Sequence, residues 1–356
     1  MRLFDDQPNG VKAKIFVLYA FLLLANALSW LWAYVQFREY PILLGTASLA
    51  YTFGLRHAVD PDHIAAIDNV TRKLMQEGKR PIATGFFFAL GHSTVVIVAC
   101  VLVALSVGAL EARFAGFKEV GGLIGTGISA TFLFVIALIN TMILMSVYRA
   151  FMAVSRGERL IEEDLHGLLD RRGFFARMLR SLFVIITRSW HMFPLGFLFG
   201  LGFDTASEVS LLGISAAQGS AGLPIWSILV FPALFAAGMS LIDTTDGVLM
   251  VQAYGWAFVK PVRKLYYNLT MTFISIVVAF LIGGLEALGL LASKFGLEGG
   301  FWNFIDQASE NFGLIGYLIV GVFIAGWLIS ILVYRMRRFD EIGAELSHGR
   351  SVQKGL

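Results

Sequence analysis

Apolar residues in this chain come in long unbroken stretches, not in the alternation of a half-buried strand or the single stripe of a surface helix. Stretches near 15–35, 43–68, 82–107, 121–148, 189–217, 225–251, 268–292 and 313–334 each reach the length of about 20 residues that a helix needs to cross a hydrocarbon core. The pattern predicts an all-α, polytopic membrane protein with about eight transmembrane helices. One sizeable hydrophilic segment, Arg149 to Arg188, mixes Glu158, Arg159, Glu162, Glu163, Asp164, Arg171 and Arg172, and reads as short amphipathic helices at the membrane surface. It divides the chain into a first four-span half, 1–148, a loop, 149–188, and a second four-span half with a tail, 189–356.

Composition agrees. Of 356 residues 57% are hydrophobic and 15% charged, with a mean hydropathy of +0.73, whereas a soluble domain carries about 25% charged residues. Cytoplasmic loops hold the Lys/Arg excess in a membrane protein. With the N-terminus inside, the cytoplasmic segments hold 23 of the 28 basic residues, so both termini are expected in the cytoplasm and the protein in the cytoplasmic (inner) membrane. The net charge of +3 is accounted for by this bias and calls for no nucleic acid. The single Cys100 permits no intrachain disulfide and no thiolate cluster. The first span is too long for a signal peptide and lacks a small-residue cleavage site, so it is expected to be retained.

The second stretch contains Arg56-His57-Ala58-Val59-Asp60-Pro61-Asp62-His63, five ionisable groups in eight residues. Such a cluster is costly in hydrocarbon and is expected to meet a partner, an ion or a water-filled path. Imidazoles with carboxylates suit divalent nickel, cobalt, zinc, iron or manganese, whereas magnesium and calcium favour oxygen alone. On an unbroken helix His57, Asp60 and His63 share a face and Asp62 falls off it. Pro61 removes the backbone donor that would reach the His57 carbonyl, so a break is predicted there, which could turn Asp62 toward the site. The alternative is that Arg56 pairs with Asp60 or Asp62 and locks helices together; beside a metal, Arg56 is expected as a counter-charge.

Other polar groups lie within apolar stretches. Asp204 and Glu208 stand four apart beside Thr205 and Ser207, and Asp243 and Asp246 stand three apart around Thr244 and Thr245. Either pair could line an ion path or serve as interhelical hydrogen-bond glue. His92, followed by Ser93 and Thr94, is a candidate ligand or proton relay, with a packing histidine as the alternative; Asn140 reads as a buried amide bridging helices. Phe53-Gly54-Leu55 matches Phe199-Gly200-Leu201, and continuing without gaps sets Asp62 against Glu208; extending the comparison one span further sets Gly91-His92-Ser93-Thr94 against Ile242-Asp243-Thr244-Thr245. Because the second and fifth spans run in opposite senses, this would be an inverted repeat of the kind secondary transporters use; chance similarity is the other reading. Gly196 and Gly200 are read as close helix packing.

The stretch RHAVDPDHIAAIDN at Arg56 to Asn69 resembles the signature of the nickel/cobalt transporter family. LGHSTVV at Leu90 to Val96, LGFDTASE at Leu201 to Glu208 and GMSLIDTTDG at Gly238 to Gly247 resemble three further motifs of that family. The resemblance implies eight spans with both termini inside. It also implies that His57, Asp60, Asp62 and His63 bind and select the metal, with His92 joining them and Asp204, Glu208, Asp243 and Asp246 supporting the path. Position 61, often Ala in the family pattern, is Pro61 here, which leaves the nickel-versus-cobalt preference open.

The expected activity is import of Ni2+ and/or Co2+ by a secondary transporter in the lipid bilayer. The metal is cargo, and no prosthetic group is expected. No GxxxxGK[ST] stretch is present to cradle a nucleotide, and no ATPase subunit is implied. A nickel/cobalt exporter is the runner-up, although Arg149 to Arg188 contains only His166 as a metal-collecting histidine. An intramembrane metalloenzyme is a further rival, against which stand the lack of an HExxH pair and the spread of ligand candidates over several spans.

Overall fold

The computed structural model describes residues 4–105, 111–155, 186–202, 206–257 and 261–336, and every regular element within them is helical. In chain order the α-helices are α1 (Val11–Phe37), α2 (Pro41–His57), α3 (Pro61–Gln76), α4 (Thr84–Leu105), α5 (Glu111–Ser155), α6 (Met192–Phe199), α7 (Ala206–Ser220), α8 (Ile225–Ile228), α9 (Val230–Ala257), α10 (Pro261–Phe295), α11 (Gly300–Glu310) and α12 (Phe312–Met336). Most of the hydrophilic segment, residues 156–185 with His166, lies outside the described residues, as does Asp204.

Among the described residues five helical segments are long and apolar enough to cross a membrane: Val11–Phe37, Thr84–Leu105, Leu123–Met142, Ile225–Gly255 and Leu269–Phe295. A sixth arises if Gly300–Glu310 and Leu314–Gly326, bent by 76°, form one span. The two other apolar stretches are interrupted. Residues 43–68 are divided into α2 and α3, and 189–217 into α6, which ends at Phe199, and α7, which begins at Ala206.

The first interruption follows from Pro61. Its ring crowds the preceding residue and disfavours the helical conformation there, and Asp60 takes the extended conformation, φ −68° and ψ 137°. Pro61 then starts α3, where a missing N–H costs nothing. The chain between tightens into short turns, with Asp60 N donating to His57 O at 2.9 Å and Val59 N to Arg56 O at 3.0 Å.

Helices α4 and α9 cross at the centre. Helices α2 and α3 pack on α9, whereas α6 and α7 pack on α4; α5 and α10 pair at the flank and α1 lies against α9. Gly196 of α6 permits close approach to α4, because a Cβ there would stand 2.1 Å from Phe88 O, and Gly200 meets His92 O in the same way at 3.0 Å. That is the close packing expected of small residues four apart. One apolar cluster (Phe37, Ala50, Val96, Leu211, Phe231, Phe235) fills one side of the centre and another (Leu18, Ile64, Leu133, Val278, Ile282, Phe323) fills a second. Phe16, Phe21 and Leu28 of α1 are exposed, as a lipid-facing helix requires.

Candidate metal site

The break after His57 turns two imidazoles into the centre from different helix ends. His57 is the last residue of α2, His63 lies in the first turn of α3, and His92 reaches them from the middle of α4. All three are buried, and their ring centroids stand 4.7 to 4.8 Å apart, nearly an equilateral triangle. Donor atoms of the three lie within 4.8 Å of one another. His57 Nε2 is 2.9 Å from His92 Nε2, and His92 Nε2 is 2.9 Å from Glu208 Oε1 of α7, which is 3.7 Å from His57 Nε2.

These spacings suit a metal. Donors about 2.1 Å from a shared ion and at right angles to one another are about 3.0 Å apart, the separation of the two short pairs. A direct imidazole–imidazole contact needs one protonated and one bare nitrogen, and a shared cation removes that constraint.

His63 is oriented by a carboxylate. Its Nδ1 faces both oxygens of Asp243 at 3.3 Å, while its Nε2 is buried and has no hydrogen-bond partner among the described residues. A proton held on Nδ1 toward Asp243 leaves Nε2 bare for a cation, the usual way a carboxylate sets the tautomer of a metal-binding histidine. Asp243 is fully buried, and its backbone is pressed on α4 at Gly85, where a Cβ would lie 1.8 Å from Asp243 O.

The expected residues divide into groups. His57, His63 and His92 come together; Asp60 stands at their edge, its Oδ2 3.8 Å from His57 Nδ1. The break does not carry Asp62 into the three-imidazole group: its Oδ1 accepts from His63 N at 2.8 Å, in the first turn of α3, within electrostatic range of Asp243. Arg56 lies on the exposed side of α2, so the counter-charge expected of it beside the site is not there. Glu208 and Asp243 adjoin the imidazoles directly, Ser207 Oγ is 3.3 Å from His57 Nδ1, and Asp246 lies one turn beyond Asp243.

Sequence reading missed a second polar group. Asp68, Asn69 and Arg72 of α3 are buried together with Asn140 of α5, Tyr254 of α9 and Ser275 of α10. Asp68 and Asn69 close the RHAVDPDHIAAIDN stretch, and their four-residue spacing from Arg72 and from Ala65 on one helix face was the available signal. Asn140 does bridge helices, donating to Asn69 Oδ1.

A family model described as high-affinity nickel-transport protein matches residues 43–333. The chain is 60% identical over 330 residues to a high-affinity nickel transport protein of Cupriavidus necator, covering 93% of this chain and 94% of that protein. It is 50% identical over 319 residues to the hydrogenase nickel incorporation protein HupN of Bradyrhizobium diazoefficiens, covering 90% and 84%. Against the cobalt transport protein NhlF of Rhodococcus rhodochrous it is 41% identical over 298 residues, covering 83% and 84%. No solved structure matches. With the signature stretch folded around three converging imidazoles, and similarity running the length of the bundle, this multi-pass membrane protein belongs to the high-affinity nickel transport family.

Proposed function

We propose that this protein imports Ni2+, and Co2+ as a second substrate, across the cytoplasmic membrane, and that His57, His63 and His92 with Glu208 hold the ion in transit. The observation that carries the reading is the junction of three buried imidazoles and a carboxylate at a helix break. Asp60 and Asp62 act beside the donors, Asp243 orients His63, and Asp204, Glu208, Asp243 and Asp246 line the path. Imidazole nitrogen selects nickel and cobalt over the more abundant magnesium and calcium. Where the helix is broken, freed backbone groups and side chains face an interior and not lipid.

The chain crosses eight times with both termini in the cytoplasm, the two broken helices counting as one crossing each. The exchange of partners, α2 and α3 on α9 against α6 and α7 on α4, supports an inverted repeat with the site at its interface, the halves being 1–148 and 189–356. The similarity to a protein named for hydrogenase nickel incorporation supports supply of metal to metalloenzyme assembly as the purpose of uptake. Accumulation of trace nickel by cells expressing the protein tests the reading. Cells with the protein should gain nickel over cells without it, and the His92→Ala protein, if present in the membrane, should not. Net nickel loss from loaded cells would instead establish efflux.

A further inference from the structure

Five residues beyond His63, about 7.5 Å along α3 at 1.5 Å per residue, the second polar group occupies the interior. Asp68 is 0% exposed and accepts hydrogen bonds from Tyr254 OH and, at 2.6 Å, from Ser275 Oγ. Arg72 is 1% exposed; its Nη2 donates to Asn69 Oδ1 at 2.8 Å, while Nε and Nη1 have no hydrogen-bond partner among the described residues. Asp246 Oδ2 is also buried without a partner there, and Asp246 lies within electrostatic range of Asp68. Tyr254 feels Asp68, Arg72 and Asp246 together, so the four groups form one cluster.

Helices α3 and α9 run side by side in the same sense, His63 meeting Asp243, Ile67 meeting Gly247 and Asp68 meeting Tyr254. The cluster is thus the next polar stop after the imidazoles, separated from them by the buried Ile64, Ala65, Ala66 and Ile67. It lies toward the end of the bundle where Lys73, Lys79 and Arg80 gather.

A structural ion pair would look different. Asp68 and Arg72, four apart on one helix with the acid first, are well placed to pair, and a buried guanidinium with idle donors is costly. Yet Arg72 rests on a neutral amide, and the Asp68 carboxylate is held by two hydroxyls that can rotate a lone pair toward a cation. The donors offered are carboxylate, hydroxyl and amide oxygens only, a set weaker for nickel and cobalt than imidazole, as a release point after a tight site requires.

We propose that Asp68 and Asp246 form a second, all-oxygen station for the divalent cation, and that Arg72 is a tethered cation that takes the ion's place when the metal leaves. The proposal rests on the transport reading above and adds to it a site and a means of expulsion. An Arg72 that only braced α3 to α5 through Asn69 would have no bearing on metal affinity.

Mn2+ is the probe, because it favours oxygen donors and its bound fraction is read by electron paramagnetic resonance on the purified full-length protein. In the His63→Ala background Mn2+ should still bind. Adding Asp68→Asn should weaken that binding by about tenfold or more, and adding Arg72→Gln should tighten it by about tenfold through loss of the competing cation. Arg72→Lys, which keeps a tethered charge, should stay near the wild-type affinity. If Asp68→Asn does not reach the membrane, Asp246→Asn provides the same loss. Unchanged affinity in Arg72→Gln, or in the carboxylate variant, overturns the proposal. Nickel uptake by wild-type protein in sealed vesicles separates the two ideas: uptake with failed Mn2+ arms removes the second station alone, and no uptake removes the transport reading.

Discussion

Among single residues, His63 has the most to lose. It is fully buried, with two other imidazoles 4.7 and 4.8 Å from its ring, a carboxylate facing its Nδ1 and an Nε2 that has no hydrogen-bond partner among the described residues. His63→Ala is expected to abolish nickel accumulation while the protein still reaches the membrane, measured by metal content against immunoblotted protein. Asp243→Asn tests the orienting role separately. An amide can still accept from Nδ1–H but no longer stabilises it by charge, so metal affinity should fall by about 10–100-fold, the usual cost of losing an outer-shell partner. Titration calorimetry on purified protein reads this, and affinity within twofold of wild type would exclude the Asp243–His63 arrangement as a tuning device. Glu208→Gln should cost at least as much, since Glu208 Oε1 is itself 2.9 Å from His92 Nε2.

At the scale of elements, the break between α2 and α3 is what allows residues six apart to converge. It is held from outside by α12: a Cβ on Gly316 would lie 1.7 Å from Val59 O and 3.5 Å from Pro61 Cδ. Gly321, on the same helix, has nothing within 4 Å of its would-be Cβ and serves as the matched control. Gly321→Ala should be neutral or stabilising by up to about 1 kcal/mol, the helix preference of Ala over Gly. Gly316→Ala must push the break or α12 aside, and should lower both thermal stability in detergent and nickel uptake. Equal behaviour of the two variants would show that α12 does not brace the break. Pro61→Ala should leave transport intact but shift the nickel-to-cobalt ratio in competition uptake, because an alanine restores a backbone donor beside His57.

The whole molecule depends on contacts between distant parts of the chain. The N-terminal segment is one: Asp6 accepts from Ser189 N at 2.7 Å and from Ser189 Oγ, and Arg80 N donates to Asp6 O at 2.8 Å. The N-terminus thereby ties the α3–α4 turn to the segment before α6, and Lys73 and Lys79 reach the same segment at Ile186 O and Thr187 O. Burial pushes the Asp6 carboxyl above the usual carboxylate range. Asp6→Ala should cost about 1–3 kcal/mol by leaving the Ser189 donors buried and unmet. Because a raised carboxyl pKa favours the fold in acid, the stability gap between wild type and Asp6→Ala should shrink as the pH rises from the ordinary value toward the raised one. Thermal unfolding across that interval checks the sign. Energy coupling belongs to the same scale. Inward movement of a divalent ion across ~100 mV gains roughly 4–5 kcal/mol at ~2.3 kcal/mol per charge. Sealed vesicles with an imposed potential and no nucleotide should therefore accumulate nickel, and failure there would point to a separate energy-coupling partner. Since imidazole and carboxylate must shed protons to hold a metal, uptake at trace nickel should weaken as the external pH falls.

Helix type, the apolar stretches, the break at Pro61 and the family were legible in the sequence, because each depends on neighbours in the chain: an apolar run of about 20 residues, a proline ring against the preceding residue, an ordered string of side chains. The same local reading identified His57, His63 and His92 as candidates, although only the resemblance, and not the spacing, joined His92, 29 positions past His63, to their centre. It carried Asp62 inward and kept Arg56 beside the metal, since a helix break was visible but not the direction in which the two halves would turn. That direction is set by packing of α2 and α3 on α9, and it leaves Asp62 on the α3 terminus and Arg56 outside. The Asp68–Arg72–Tyr254–Ser275 group stayed hidden because its members are ordinary singly and come from three helices; only the fold, by burying them against one another, made them a cluster.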